Sequence, residues 1–333
     1  MQEHSDCGIF TIFSPCIQRS CTSLTSGRNA IGAILLMLAV ACAAASAQPV
    51  DLTPSLDMQQ PVLYEHVLRV DTTQGVVRIG EQSLRTQLFR RFKLSTHLLA
   101  GDQEDGAVAV ALFQMVRVAM RVGRKDKIMF DFDSDRPRVS DPEQDAVKGQ
   151  VTALRALAAL DVTVRVDKNG KALSVDGLDS IEEFAKTDQG AAILLGFIGE
   201  SWFRGMCDQV WGVGDAMTNV NVGDSWTQVD TAPASGGGTS SLEIAFNLVG
   251  VTDDEARIEG EGHVNIAEAT PQIMPGAETE IINNKAAVSC RWSLSAKRTT
   301  QYTYRFSMET AVNAGGIDIT QVQDVSQALQ VVK

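Results

Sequence analysis

Two long stretches of this chain alternate between apolar and polar residues with a period of two. In the first, Leu84, Thr86, Leu88, Phe92, Leu94, Thr96 and Leu98 fall on one parity, and Arg85, Gln87, Arg91, Lys93, Ser95 and His97 on the other. Arg90 interrupts the apolar row, the mark of a bulge or a rim. After an acidic turn at residues 101–106, Val108, Val110, Leu112, Val116, Val118, Met120 and Val122 share a parity, with Arg117 and Arg121 opposite. Successive side chains of a strand point to opposite faces, so each run predicts a strand with one buried face. Each run spans about 15 residues, or roughly 50 Å, well beyond the usual strand. Strands of that length belong to a strongly curved sheet or a barrel.

The second half repeats the arrangement. Leu242, Ile244, Phe246 and Leu248 alternate with Ser241, Glu243, Ala245 and Asn247. After the turn Thr252-Asp253-Asp254-Glu255, one face carries Ala256, Ile258, Gly260, Gly262, Val264 and Ile266, and the other Arg257, Glu259, Glu261, His263 and Asn265. Long strand, acidic turn and long strand thus occur twice, which reads as an internal duplication or an ordinary meander. A further hairpin closes each half. Val162, Val164 and Val166 lead into Asn169-Gly170, a strong short-range hairpin signal. Near the C terminus, Val288, Cys290, Trp292 and Leu294, then Tyr302, Tyr304, Phe306 and Met308, alternate with polar residues.

Between the halves lies a helical region. Ser180 and Glu183 make a capping box for a short helix, and Thr187 or Asp188 can cap a second. The second helix carries the stripe Ala191, Leu194, Leu195, Ile198, Trp202 and Met206. So apolar a helix must lie on a sheet, and Gly260 and Gly262 would admit it closely. The expected fold is mainly β: a large curved antiparallel sheet or unclosed barrel over residues 62–333. Two similar halves, 62–178 and 220–333, are joined by an apolar helical segment at 179–211.

Composition adds a compartment. Residues 30–47 are uncharged and apolar, follow Arg19 and Arg28, and close on Ala45-Ser46-Ala47. A basic region, an apolar core and a small-x-small site predict a signal peptide over residues 1–47, followed by a linker at 48–61. The chain is then exported, to the periplasm or outside the cell. Membrane association follows only if Cys42 is lipidated or the leader stays uncleaved. The leader's charges cancel, so the net charge remains −12 without it. That acidity argues against a nucleic-acid partner, which requires a basic footprint. Of the six cysteines, Cys207 and Cys290 remain beyond the leader, and in an oxidising compartment a disulfide between them is expected.

Candidate chemistry is sparse. Asp131, Asp133 and Asp135 resemble the start of a calcium loop, but Arg136 and Pro142 stand where that loop needs Gly and Glu. A solvated acidic loop is the simpler reading. His263 shares a face with Glu259 and Glu261, but also with Arg257 and Asn265, as a solvated outer face does; His66 and His97 are isolated. No zinc-protease, nucleophile-elbow or phosphate-loop motif occurs. No catalytic residue, metal site or cofactor is assigned. Arg85, Arg91 and Lys93 on one strand, with Arg117 and Arg121 on the next, form a positive patch if the sheet brings them together. Such a patch suits an anionic headgroup or an acidic partner, or is an ordinary charged outer face.

Lys168-Asn169-Gly170-Lys171, Val175-Asp176-Gly177-Leu178, a helix, and Val222-Gly223-Asp224-Ser225-Trp226 follow in order. That order resembles an uncharacterised family of exported bacterial β-rich proteins across residues 150–330. The shared motifs are structural, so the resemblance implies a β-rich fold and supplies no functional residue. In architecture alone, long alternating strands around an apolar helix are similar to the unclosed barrels of periplasmic lipoprotein carriers. The expectation is a non-enzymatic cell-envelope protein that binds or carries an apolar or lipid-like ligand. Leu112, Val116, Phe246, Ile258, Trp292 and Tyr304 would line the concave face, with the helix after Thr187 as plug or lid. The rival is a structural or protein-interaction protein of the envelope whose core is filled. A cavity of a few hundred Å³ separates the two.

Overall fold

The alternating runs become strands of a single antiparallel sheet. In the computed structural model, which describes residues 49–57, 60–76, 82–100, 106–124, 127–141, 145–213, 217–233, 239–267, 278–314 and 317–332, that sheet has twelve strands. The leader at 1–47, Cys42 and residues 101–105 of the acidic turn lie outside the described residues. The first half supplies β1 (Val62–Val76), β2 (Gln82–Ala100), β3 (Ala109–Arg124), β4 (Lys127–Asp133), β5 (Asp161–Val166) and β6 (Ala172–Asp176). The second supplies β7 (Ser225–Pro233), β8 (Thr239–Val251), β9 (Glu255–Ala267), β10 (Glu278–Ser293), β11 (Arg298–Ala314) and β12 (Ile317–Val331). Their order is β6-β5-β3-β2-β1-β12-β11-β10-β9-β8-β7, with β4 also on β3, so the sheet is not closed into a barrel. The second half is a meander, the first is interrupted where β3 pairs with both β4 and β5, and the two meet where β1 pairs with β12, Tyr64 opposite Val331 and Val76 opposite Ile319.

This order dictates where the helices go. The chain leaves the first half at the β6 edge and enters the second at the β7 edge, so the connection must cross the sheet. It does so as α2 (Asp179–Ala185), α3 (Gln189–Ile198) and α4 (Glu200–Val210), while α1 (Asp145–Leu157) joins β4 to β5. Helix α4 touches β5, β6 and β11. From β5 to β11 is five strand spacings, roughly 24 Å along the sheet, twice the width of a helix. One helix reaches both only because the sheet curls around it. One core lies between the helices and β1–β6, centred on Phe92, Phe113, Leu154 and Phe203. A second lies on β8–β10, where Ile258, Cys290 and Trp292 are capped by Leu52 and Val220 rather than by the helices. The segments bearing these caps meet through reciprocal backbone bonds between Val50 and Val220, both 2.9 Å.

Several local expectations change. The buried row on β3 is Ala109, Ala111, Phe113 and Met115, then Val118 and Met120. The parity switches at a β-bulge: Lys93 pairs with Arg117 but Leu94 pairs with Met115, leaving Val116 as the extra residue. The alternation across Val108–Val122 is therefore two rows of opposite phase. The helical stripe is divided by Gly199 into α3 and α4; a Cβ there would lie 2.6 Å from the Leu195 carbonyl oxygen. Asp188 caps α3, accepting from the Ala191 N–H at 2.8 Å, but Ser180 lies inside α2 and caps nothing. Helix α1 was not expected, although Val147, Val151, Leu154 and Leu157 have helical spacing. Gly260 and Gly262 make room for β8 rather than for a helix: a Cβ on Gly262 would lie 2.0 Å from the Glu243 carbonyl oxygen. The expected disulfide is not formed. Cys207 and Cys290 are both free, one in each core, and the Cys290 sulfur lies 3.6 Å from the Thr299 hydroxyl.

Candidate functional site

The inner face of the sheet is ruled into rungs by its register. One rung runs Phe130, Val122, Leu88, Val70, Val325 and Phe306 across β4, β3, β2, β1, β12 and β11. On one side of it lies a polar rung with Thr86, Thr72 and Gln323. On the other side come Met120, Arg90, Leu68 and Gln327, and beyond them Phe92, His66 and Leu329, each at most 1 % exposed. Burial therefore deepens along the strands, from a polar rim through an apolar band to a closed core.

Helix α1 stops short of closing the apolar band, and a cavity of about 640 Å³ remains. Its walls are Val70, Leu88, Met120, Val122, Phe130 and Val147, its rim is Thr72, Thr86, Gln150 and Gln323, and Arg90 lines it as well. Met129, also in the wall, is 50 % exposed. The roof is tied down by Arg155 of α1. Its guanidinium donates to both Asp141 oxygens at 2.5 and 3.0 Å, to the Ser134 carbonyl at 2.7 Å and to the Arg136 carbonyl at 2.9 Å, and lies 4.9 Å over the Phe132 ring. The neighbouring Asp141 holds that guanidinium's pKa above its ordinary value, through hydrogen bonds first and charge second.

Arg90 is 6 % exposed, and burial pushes its pKa down to about 10, so it stays charged at neutral pH. It is the single charged side chain among the described residues lining the larger cavity. A smaller cavity of about 250 Å³ lies under α4, between Gln209, Val213, Leu242, Phe246, Tyr302 and Tyr304. Gln327 spans its edge, donating to Gln209 at 2.8 Å.

The six expected lining residues are dispersed. Phe246 and Tyr304 both line the smaller cavity, where burial raises the Tyr304 hydroxyl to about 12. Ile258 and Trp292 are fully buried packing in the second core. Leu112 and Val116 stand on the opposite phase of β3 from Phe113 and Met115, and Val116 is 54 % exposed. The larger cavity was missed because its β2 and β1 residues lie far along strands whose polar rim broke the apolar pattern. Arg90, an intruder on an apolar row, was its one visible signal.

The other candidates are occupied by charge pairing or solvent. Arg117 grips Asp133 at 2.5 and 3.1 Å and Asp135 at 3.1 Å, while Arg121 and Arg136 reach Asp131 at 3.4 and 3.0 Å. His263, Glu259 and Glu261 all stand exposed on the outer face. The basic patch does assemble there, Lys93 opposite Arg117 and Phe89 opposite Arg121, but Arg91 pairs with Glu65 at 2.7 Å and Arg85 with Asp71 at 3.7 Å. Among the described residues no group of three His, Cys, Asp or Glu side chains is placed to hold a metal, and no helix is long and apolar enough to cross a membrane.

Residues 112–304, more than half of the chain, match the profile of a family of unknown function, DUF6263. The chain belongs to that family, in keeping with its resemblance to an uncharacterised β-rich one. No curated protein matches it. Among solved structures, it is similar to one titled "lipid-protein interactions in lipovitellin", at 12 % identity and a TM-score of 0.45, over 83 % of this chain and 25 % of that one. The chain thus spans a quarter of that protein's length. A second similarity is to DynF from the dynemicin biosynthesis pathway of Micromonospora chersina, at 9 % identity and a TM-score of 0.19, over 87 % and 88 % of the two chains. Overlaps this loose bear on neither ligand nor chemistry.

Proposed function

We propose that this is an exported, non-enzymatic binding or carrier protein that holds an apolar, lipid-like ligand on the inner face of its open sheet. The observation that carries the reading is the cavity of about 640 Å³ between α1 and the apolar band. Small-molecule sites occupy roughly 300–1,000 Å³ and are mostly apolar with a few placed polar groups, which describes this cavity and not the 250 Å³ one. The leader supports export, and the absence of catalytic motifs supports a binding role.

The test is native mass spectrometry of the protein purified gently from its own cell envelope, followed by titration with the neutral apolar dye N-phenyl-1-naphthylamine. A bound mass of lipid size and saturable dye binding are expected. Val122→Trp, which fills the apolar band, should weaken dye binding by about tenfold or more. A bare chain mass with no dye binding would favour the structural reading with a filled core.

A further inference from the structure

The apolar band alone would accept any greasy molecule, but its inner end is not apolar. We propose that the ligand is a single-chain lipid with a compact anionic head, carboxylate or phosphate, and that Arg90 receives the head at the floor of the cavity. This inference rests on the carrier reading above.

Four observations converge on Arg90. It faces inward, between Leu68 of β1 and Met120 of β3, where the alternation calls for an apolar residue. It sits one rung deeper than Val70, Leu88 and Val122, at the boundary with the closed core, so it forms the floor rather than the rim. It is the only charge among the described lining residues, so nothing in the wall repels an anion. It is almost wholly buried, so its charge acts on a bound ion at low dielectric rather than across water. An anionic head suits that charge, and the guanidinium fork matches the oxygens of a carboxylate or phosphate in a way a lysine does not.

Size limits the tail. At roughly 30 Å³ for each water-sized group, about 640 Å³ holds about 20 such groups, the span of one acyl chain. The head lies inward, the chain runs along the apolar band, and its end emerges past exposed Met129. The protein's net charge of −12 does not oppose this, because exposed charges are screened within about 10 Å while a buried one acts at low dielectric.

Displacement of N-phenyl-1-naphthylamine by hexadecanoate, hexadecyl phosphate and hexadecan-1-ol, which share one chain length, tests the proposal. At least one anion should bind about tenfold or more tightly than the alcohol, and the tighter of the two names the head. Arg90→Gln should bring acid and alcohol within about twofold of each other, while Arg90→Lys keeps a preference for the anion. Alcohol and both anions binding wild type alike would overturn the anionic head and leave the carrier reading standing. A preference that survives Arg90→Gln would place the head at the polar rim and overturn Arg90's role. Dye and all three lipids failing to bind would sink both readings. Should Arg90→Gln not fold, the carboxyl of carbon-13-labelled hexadecanoate bound to wild type decides. A carboxyl that titrates below the ordinary range supports the pairing, and one at or above it overturns it.

Discussion

His66 shows what the inner face does to a single polar side chain. It is 1 % exposed, stacked 6.1 Å from Phe92 and edge-on to Trp202 at 5.5 Å, and neither ring nitrogen has a hydrogen-bond partner. Burial, and then the nearby Arg90 charge, lower its pKa to about 3, so the folded protein holds a neutral imidazole. The unfolded chain protonates it near 6.5, so between 6.5 and 3 the unfolded state binds the extra proton. Stability contributed by this group is complete above pH 6.5 and falls as the pH drops, by about 1.4 kcal/mol per unit. His66→Phe should flatten the dependence of the urea midpoint between pH 6.5 and 4.5, above the range where most carboxylates titrate. An unchanged slope would mean that His66 is not the group responsible. In the sequence His66 stands isolated; its burial needs Trp202, 136 positions away.

At the scale of elements, the bulge in β3 decides which side chains are core. Phe113 is wholly buried against Phe203 and Trp211, whereas Val116, the inserted residue, points to solvent. Phe113→Ala should cost about 3–5 kcal/mol. Val116→Thr should stay within about 0.5 kcal/mol of wild type. Urea denaturation of both variants checks the phase of the strand; a reversal of the two costs would mean the bulge is absent. The turn-linked pairs β2–β3, β8–β9 and β10–β11 were legible because period two and the turns between them are local sequence. The bulge was not, because Val116, Arg117 and Val118 read as apolar, polar, apolar in either phase. Helix α1 was overlooked because its apolar spacing follows a loop rich in Asp, Arg and Pro, whose turn chemistry dominates the reading. The division of α3 from α4 was missed because the apolar stripe passes across Gly199 unbroken.

At the scale of the whole molecule, the two halves share one sheet through the β1–β12 seam. Leu329 lies at that seam, opposite His66 on one side and Tyr302 on the other, and is fully buried. Tyr302 packs against both cores, so the seam couples them. The two free thiols report on this separately: burial raises Cys207 well above the ordinary thiol value and Cys290 to about 12. Neither should react with a thiol reagent in the folded protein, and both should become reactive at one urea concentration. Leu329→Ala should lower that shared midpoint, for a loss of about 2–5 kcal/mol. Two separate midpoints would show that the halves unfold independently.

By itself the sequence determined the β-rich class, the long strands, the helical crossing region and the Asn169-Gly170 turn, all properties of near neighbours along the chain. Alternation fixes which residues share a face, and turn residues fix where the chain reverses. The tertiary structure alone decided that β1 and β12 join the halves and that β6 and β7 end the sheet. It also placed the two cysteines in different cores. These outcomes depend on strand order, and strand order is set by contacts between residues hundreds of positions apart. The same holds for the cavity: Arg90 announced itself as a misfit, but only the curled sheet and the α1 roof make that misfit the floor of a pocket.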